Sequence, residues 1–171
     1  MALTYTLIAS TLVGSGGAAN VEFTSIPNTY TDLLVKISVR TNVTSPFWGW
    51  RMIFNSSTSN YTGKTLSGNG SSASSFNQTS PWAGSINANN STASTFSNIE
   101  VYIPNYASSN YKSYSIDGVT EANATTAEMH LDAGLWSDTS AITTIKFDAT
   151  GASPSDLVQF TNIYLYGISN S

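Results

Sequence analysis

Residues 126–136 read TAEMHLDAGLW. Ala127, Met129, Leu131, Ala133 and Leu135 alternate with Glu128, His130 and Asp132, and the run closes on Trp136. A period of two is that of a β-strand, in which successive side chains point to opposite faces. The pattern predicts a central strand with the apolar set turned to the core and Glu128, His130, Asp132 and Trp136 turned outward.

The same period recurs on both sides of this stretch. In DLLVKISVRT (32–41) Leu33, Val35, Ile37 and Val39 share one face, and Lys36, Ser38 and Arg40 the other. In WGWRMIFN (48–55) Trp48, Trp50, Met52 and Phe54 alternate with Gly49, Arg51 and Ile53, so Trp48 and Trp50 read as core. Leu3, Tyr5 and Leu7 alternate with Thr4, Thr6 and Ile8 in an opening strand, and Gly14, Gly16 and Gly17 then turn the chain. Val21 and Phe23 open a short strand stopped by Pro27; Ile99, Val101 and Ile103 form another, stopped by Pro104. Tyr111–Val119, Ile142–Phe147 and Leu157–Ile168 complete the set. The last carries Val158, Phe160, Tyr164, Tyr166 and Ile168 on one face and Leu157, Ile163 and Leu165 on the other, so it is either buried on both sides or touches a neighbouring subunit. Residues 56–98 are polar and repetitive, and read as a loop-rich insertion around one or two short strands near Tyr61–Leu66 and Trp82–Ile86.

Short alternating runs separated by Gly, Asn, Ser and Pro, with no sustained helical stripe, predict one all-β domain over residues 1–171. The expected architecture is a two-sheet antiparallel β-sandwich, jelly-roll-like, of about ten strands with long Ser/Asn/Gly-rich loops.

Composition removes several classes of function. Only 9% of the 171 residues are charged and the net charge is −4, with no basic cluster to neutralise a phosphate backbone, so nucleic acid is not expected as a partner. Ser, Thr and Asn supply 66 residues, which suit turns and neutral hydrogen-bonded surfaces. With no Cys, disulfides and thiol chemistry are absent. No apolar run approaches the ~18 residues of a membrane span, and the opening MALTYTLIAS lacks the basic start of a signal peptide. Eight Asn-x-Ser/Thr matches follow from the composition.

Glu128, the sole histidine His130, and Asp132 would project together from one strand face, a spacing that suits a metal or acid-base chemistry; read plainly, it is the solvated face of an amphipathic strand. No GxSxG or HExxH motif accompanies it, and the glycine runs do not open a helix. No catalytic residue, metal or cofactor is therefore expected. Trp82 and Trp136, which flank loops, are the tryptophans best placed for a contact surface with sugar or protein.

The segments MALTYTLIAS (1–10), FTSIPNTYTDLLVKISVRTN (23–42), GKTLSGNGSSASS (63–75), FSNIEVYIPNYASSNYKSYS (96–115) and AGLWSDTSAITTIKF (133–147) resemble small virion structural proteins of tailed bacteriophages. The resemblance runs from Leu3 to Ile168 as a pattern of strands and turns, without a catalytic signature. It implies a non-enzymatic β-sandwich on the particle surface, made in the host cytoplasm. The expected role is that of a capsid decoration (cement) protein bound to the major capsid protein or other virion proteins; a tail- or fibre-associated module recognising a host surface glycan is the alternative. Self-association as a dimer or trimer is expected; Leu3, Tyr5 and Leu7 of the first strand, or the 56–98 loops, are the expected contacts with the capsid lattice, and Trp82 and Trp136 complete the candidate contact surface.

Overall fold

A computed structural model describes residues 4–123, 127–149, 151 and 155–169. The described residues contain no helix and form twelve strands. These are β1 (Thr4–Leu12), β2 (Val21–Phe23), β3 (Asp32–Val39), β4 (Phe47–Phe54), β5 (Tyr61–Gly68), β6 (Ala73–Gln78), β7 (Trp82–Asn87), β8 (Ser97–Ile103), β9 (Lys112–Val119), β10 (Met129–Trp136), β11 (Ile145–Ala149) and β12 (Asn162–Ser169). They build two antiparallel sheets, an eight-stranded one in the order β1-β12-β3-β8-β9-β10-β5-β6 and a four-stranded one in the order β2-β11-β4-β7. The β-sandwich expected from the alternating pattern is thus present. Its excess of strands comes from within residues 56–98, where the sequence suggested one or two and the structure has β5, β6 and β7.

β5 and β7 fall where strands were expected, near Tyr61–Leu66 and Trp82–Ile86; β6 (ASSFNQ) is the added strand, with Phe76 its one large apolar residue. The β5–β6 hairpin is held by local bonding at its turn: the Asn69 side-chain oxygen accepts the N–H groups of Ser71 and Ser72 at 3.0 and 2.9 Å, and Gly70 takes a φ of 83°. This hairpin lengthens the large sheet beyond the width of the small one.

Between the sheets lie Leu33, Val35, Ile37 and Val39 of β3, Ile99, Val101 and Ile103 of β8, and Ile163 and Leu165 of β12, all buried as their alternation requires. From the small sheet Trp50, Met52 and Phe54 face them. Trp50 Nε1 donates to the Ala83 carbonyl at 2.6 Å, and its ring stacks on Phe147 at 5.2 Å. Around Phe54 gather Tyr61, Tyr114 and Trp136, with ring centroids 6.0, 5.6 and 5.7 Å away.

Trp136 therefore belongs to the core, 1% exposed, and not to a contact surface. Its position corrects the reading of β10 as a whole: the period of two is right and the phase is inverted. His130, Asp132 and Trp136 face the small sheet, whereas Met129, Leu131 and Ala133 face outward. The cause is shape. Side chains from neighbouring strands fill the space on the inner face beside Gly134 and Gly118, where a Cβ would overlap the Tyr114 ring and the His130 ring respectively. The even-numbered set alone complements these gaps.

Two buried cations secure loops. Arg40 donates to the carbonyls of Asn89, Ser91, Thr92 and Thr95 at 2.8–3.2 Å, tying the β7–β8 connection to the end of β3. Lys112 donates to the Ser108 carbonyl at 2.8 Å and to that of Asn110, closing the β8–β9 loop. Neither meets a carboxylate oxygen, and desolvation lowers both pKa values.

Candidate functional site

Strand register defines the outer face of the eight-stranded sheet, since directly paired residues share a face. One row across it reads Leu7, Tyr166, Leu34, Tyr102, Ser115, Ala133, Lys64 and Asn77. The next reads Ser10, Tyr164, Lys36, Glu100, Asp117, Leu131, Leu66 and Ser75, and a third runs from Leu12 to Val119, Met129 and Ala73. A bulge at Ile8 shifts the phase of β1, which brings Leu12 to the same face as Tyr5 and Leu7. Of the twelve large apolar residues exposed among the described residues, nine lie on this face: Tyr5, Leu7, Leu12, Leu66, Tyr102, Val119, Met129, Leu131 and Tyr164, at 36–67% exposure.

Two zones stand out on this face. At one end Tyr5, Leu34, Tyr102, Tyr166 and Ile168 line a groove of about 790 Å3 on β1, β12, β3 and β8. Its charges are satisfied internally. Lys36 pairs with Glu100, while Asp32 accepts the Tyr102 hydroxyl at 2.8 Å and the Asn105 N–H at 2.9 Å. Burial, then the hydrogen bond and charge of Asp32, raise the Tyr102 pKa. Beside the groove, the rings of Tyr164 and Tyr166 lie 6.5 Å apart and 26° from parallel. At the other end Leu66, Val119, Met129 and Leu131 form an aliphatic zone on β5, β9 and β10, with Asp117 between the two.

The expected contact residues Tyr5 and Leu7 stand on this face; Leu3 lies outside the described residues. Trp82, on β7, is half-buried with its ring laid over Gly49, where a Cβ would strike it. Its Nε1 is buried without a hydrogen-bond partner. Trp82 and Trp136 thus make no common platform. What the sequence reading missed is Tyr102 and the aliphatic zone, whereas the second apolar face of the last strand was already the sign of Tyr164 and Tyr166.

No family model, curated protein or solved structure matches this chain.

The Glu128, His130, Asp132 group is neither solvated nor a unit. His130 is 2% exposed, its Nδ1 lies 2.6 Å from Asp132 Oδ2, and Thr65 Oγ1 donates to the other Asp132 oxygen. The imidazole is held between Gly84 of β7 and Gly118 of β9, and its Nε2 has no partner. Glu128 stands apart, joined to Thr120 through backbone groups and the threonine hydroxyl. Among the described residues no three His, Asp or Glu side chains are grouped to hold a metal ion. The hydrogen bonds of His130 and Asp132 lie within the large sheet, and only the imidazole ring reaches across to Gly84 of the small one.

Proposed function

We propose that this chain is a non-enzymatic structural protein of a tailed-bacteriophage particle, a decoration protein of the capsid surface whose assembly surface is the outer face of the large sheet. The observation that carries the reading is the concentration of exposed apolar side chains on that face; isolated monomers seldom show patches beyond a few hundred Å2 without an interaction to serve. The resemblance of the strand-and-turn pattern supports the phage assignment. So does strand order: with β5, β6, β9 and β10 set aside, the remaining strands read first-eighth-third-sixth and second-seventh-fourth-fifth, the alternation of a jelly roll, an architecture used by viral capsid domains.

Quantitative mass spectrometry of purified particles tests the proposal. Copy number close to that of the major capsid protein supports decoration of the head, a few to some tens of copies moves the protein to the tail, and its absence from particles refutes both.

One observation favours a second reading, a tail- or fibre-associated module for a host glycan. The near-parallel Tyr164 and Tyr166 rings beside the Tyr5–Tyr102 groove offer aromatic faces next to hydrogen-bonding groups, as sugar sites do. Titration with host polysaccharides, followed by calorimetry and lost on Tyr164→Ala, tests it.

A further inference from the structure

We propose that Asn69 is a site of spontaneous covalent modification. At the tip of the β5–β6 hairpin its side-chain amide is attacked by the backbone nitrogen of Gly70, ammonia leaves, and the residue ends as aspartate or β-aspartate. The site is separate from the outer face of the large sheet and does not depend on the virion reading.

Three features carry the inference. First, Asn69 is the one asparagine in the sequence that is followed by glycine. The nitrogen of the following residue must reach the asparagine Cγ, and a side chain on that residue obstructs the approach. Gly70 has none, stands in open space and takes a φ of 83°, which other residues rarely adopt. Both residues are exposed, so water and solvent base reach them.

Second, the turn holds the amide oxygen and leaves both nitrogens free. Asn69 Oδ1 accepts the N–H groups of Ser71 and Ser72, two oriented donors aimed at the atom on which negative charge develops during the attack. Among the described residues neither Asn69 Nδ2 nor the Gly70 N–H donates to any group. Losing ammonia from the one and a proton from the other therefore breaks no hydrogen bond. Third, the hairpin supplies its own contrast in Asn77. The Asn77 side-chain oxygen accepts from Lys64, and Gln78 is fixed in the ladder opposite Gly63, whereas Asn69 lies beyond the end of β5. An extended backbone keeps the next nitrogen turned away from the side-chain amide.

The reaction consumes one water and releases one ammonia. The Gly70 nitrogen gives its proton to solvent base and bonds to Cγ, and the Cγ–Oδ1 π pair moves onto Oδ1. That pair returns as Nδ2 takes a proton and departs as ammonia, leaving a five-membered imide. Water then opens the imide at one of its two carbonyls. Breaking the N–Cγ bond gives aspartate, which keeps the acceptor for Ser71 and Ser72. Breaking the original peptide bond gives β-aspartate, which lengthens the backbone of the turn by one methylene. Either product adds a negative charge to a hollow of about 350 Å3 that Asn69 shares with Glu121 and Glu128.

The test incubates the purified full chain at mildly alkaline pH and physiological temperature, once folded and once unfolded in guanidinium chloride. Electron-transfer mass spectrometry reads the amide-to-acid mass gain at each asparagine, and labelling by an isoaspartyl methyltransferase reads the β-aspartate. In the folded chain Asn69 should convert first, at least about tenfold ahead of Asn77, and no more slowly than in the unfolded chain. Gly70→Ala, shown to be folded by circular dichroism, should slow conversion at Asn69 by at least about tenfold. Conversion slower in the folded chain than in the unfolded one overturns the proposal, as does another asparagine converting first, or a lead or a slowing that falls short of that factor.

Discussion

Replacing Asp132 with alanine tests the buried polar network of the large sheet that holds the His130 ring against Gly84 of the small one. Asp132 is 7% exposed and serves two neighbours, His130 through Nδ1 at 2.6 Å and Thr65 through its hydroxyl. Its removal leaves the imidazole without any partner, since Nε2 already has none, and leaves a buried hydroxyl unmatched as well. Each orphaned buried group costs about 1–3 kcal/mol, so the substitution should cost on the order of 4 kcal/mol. For a chain of this size that lowers Tm by roughly 8–16 °C. Urea unfolding followed by tryptophan emission is the assay, because Trp50 and Trp136 are both fully buried and report loss of the core. The decisive comparison is the triple variant His130→Phe, Asp132→Leu, Thr65→Val. It keeps a flat ring between Gly84 and Gly118 and removes every polar atom of the network, so it should lie within about 2 kcal/mol of the wild type. A cost below 1 kcal/mol for Asp132→Ala, or a triple variant as unstable as the single, would refute the reasoning.

Three further outcomes are expected. Gly84→Ala should cost about 2–5 kcal/mol in the same assay, because a φ of 90° and overlap with the His130 ring add together, whereas Gly70→Ala, at φ 83° with open space around it, should cost no more than about 2 kcal/mol. Arg40→Met should destabilise by about 2–4 kcal/mol and speed amide hydrogen exchange in residues 88–96 before it does so in β8 or β12. At alkaline pH, burial raises the pKa of Tyr61, Tyr106 and Tyr114 above the ordinary 10.0. Protons are then retained by the folded state and lost by the unfolded one, so this contribution is fully present below pH 10 and disappears as pH rises through the folded values. Tyrosinate absorbance should show a late step coincident with loss of near-ultraviolet dichroism; ionisation of all nine tyrosines in a fold that remains intact would contradict it.

The alternation in β3, β4 and β8 was legible because one face there is almost wholly aliphatic or aromatic and the other is not. In β10 both faces hold large residues, and hydropathy ranks Met129 and Leu131 above His130 and Asp132. What reverses the order is remote in sequence: the absence of a side chain at Gly118 and the hydroxyl of Thr65, brought to β10 by sheet pairing, and the absence of one at Gly84, brought there across the sandwich. The tyrosines of β12 were visible as a second apolar face, but the aliphatic zone was not, since Leu66, Val119 and Met129 become neighbours only when β5, β9 and β10 align. Within residues 56–98 only β6 was hidden, for a related reason: its Ser, Asn and Gln contribute little hydrophobic signal, and its place at the edge is defined by pairing with β5.

Strand β12 lies between β1 and β3, with Thr4 opposite Ser169 and Ile37 opposite Ile163. The earliest strands to leave the ribosome therefore wait for the latest. Until β12 has been made, β1 has no neighbour, and β3 has a bare edge beside Val35 and Ile37. Closure across nearly the whole chain is entropically slow, and a nascent chain in that state is open to pairing with the strands of another. The yield of folded protein should therefore depend on how long the unfinished sheet is exposed, and loss of β12 would cost the large sheet two strands, β12 and the β1 that pairs only with it, leaving β3 as the new edge.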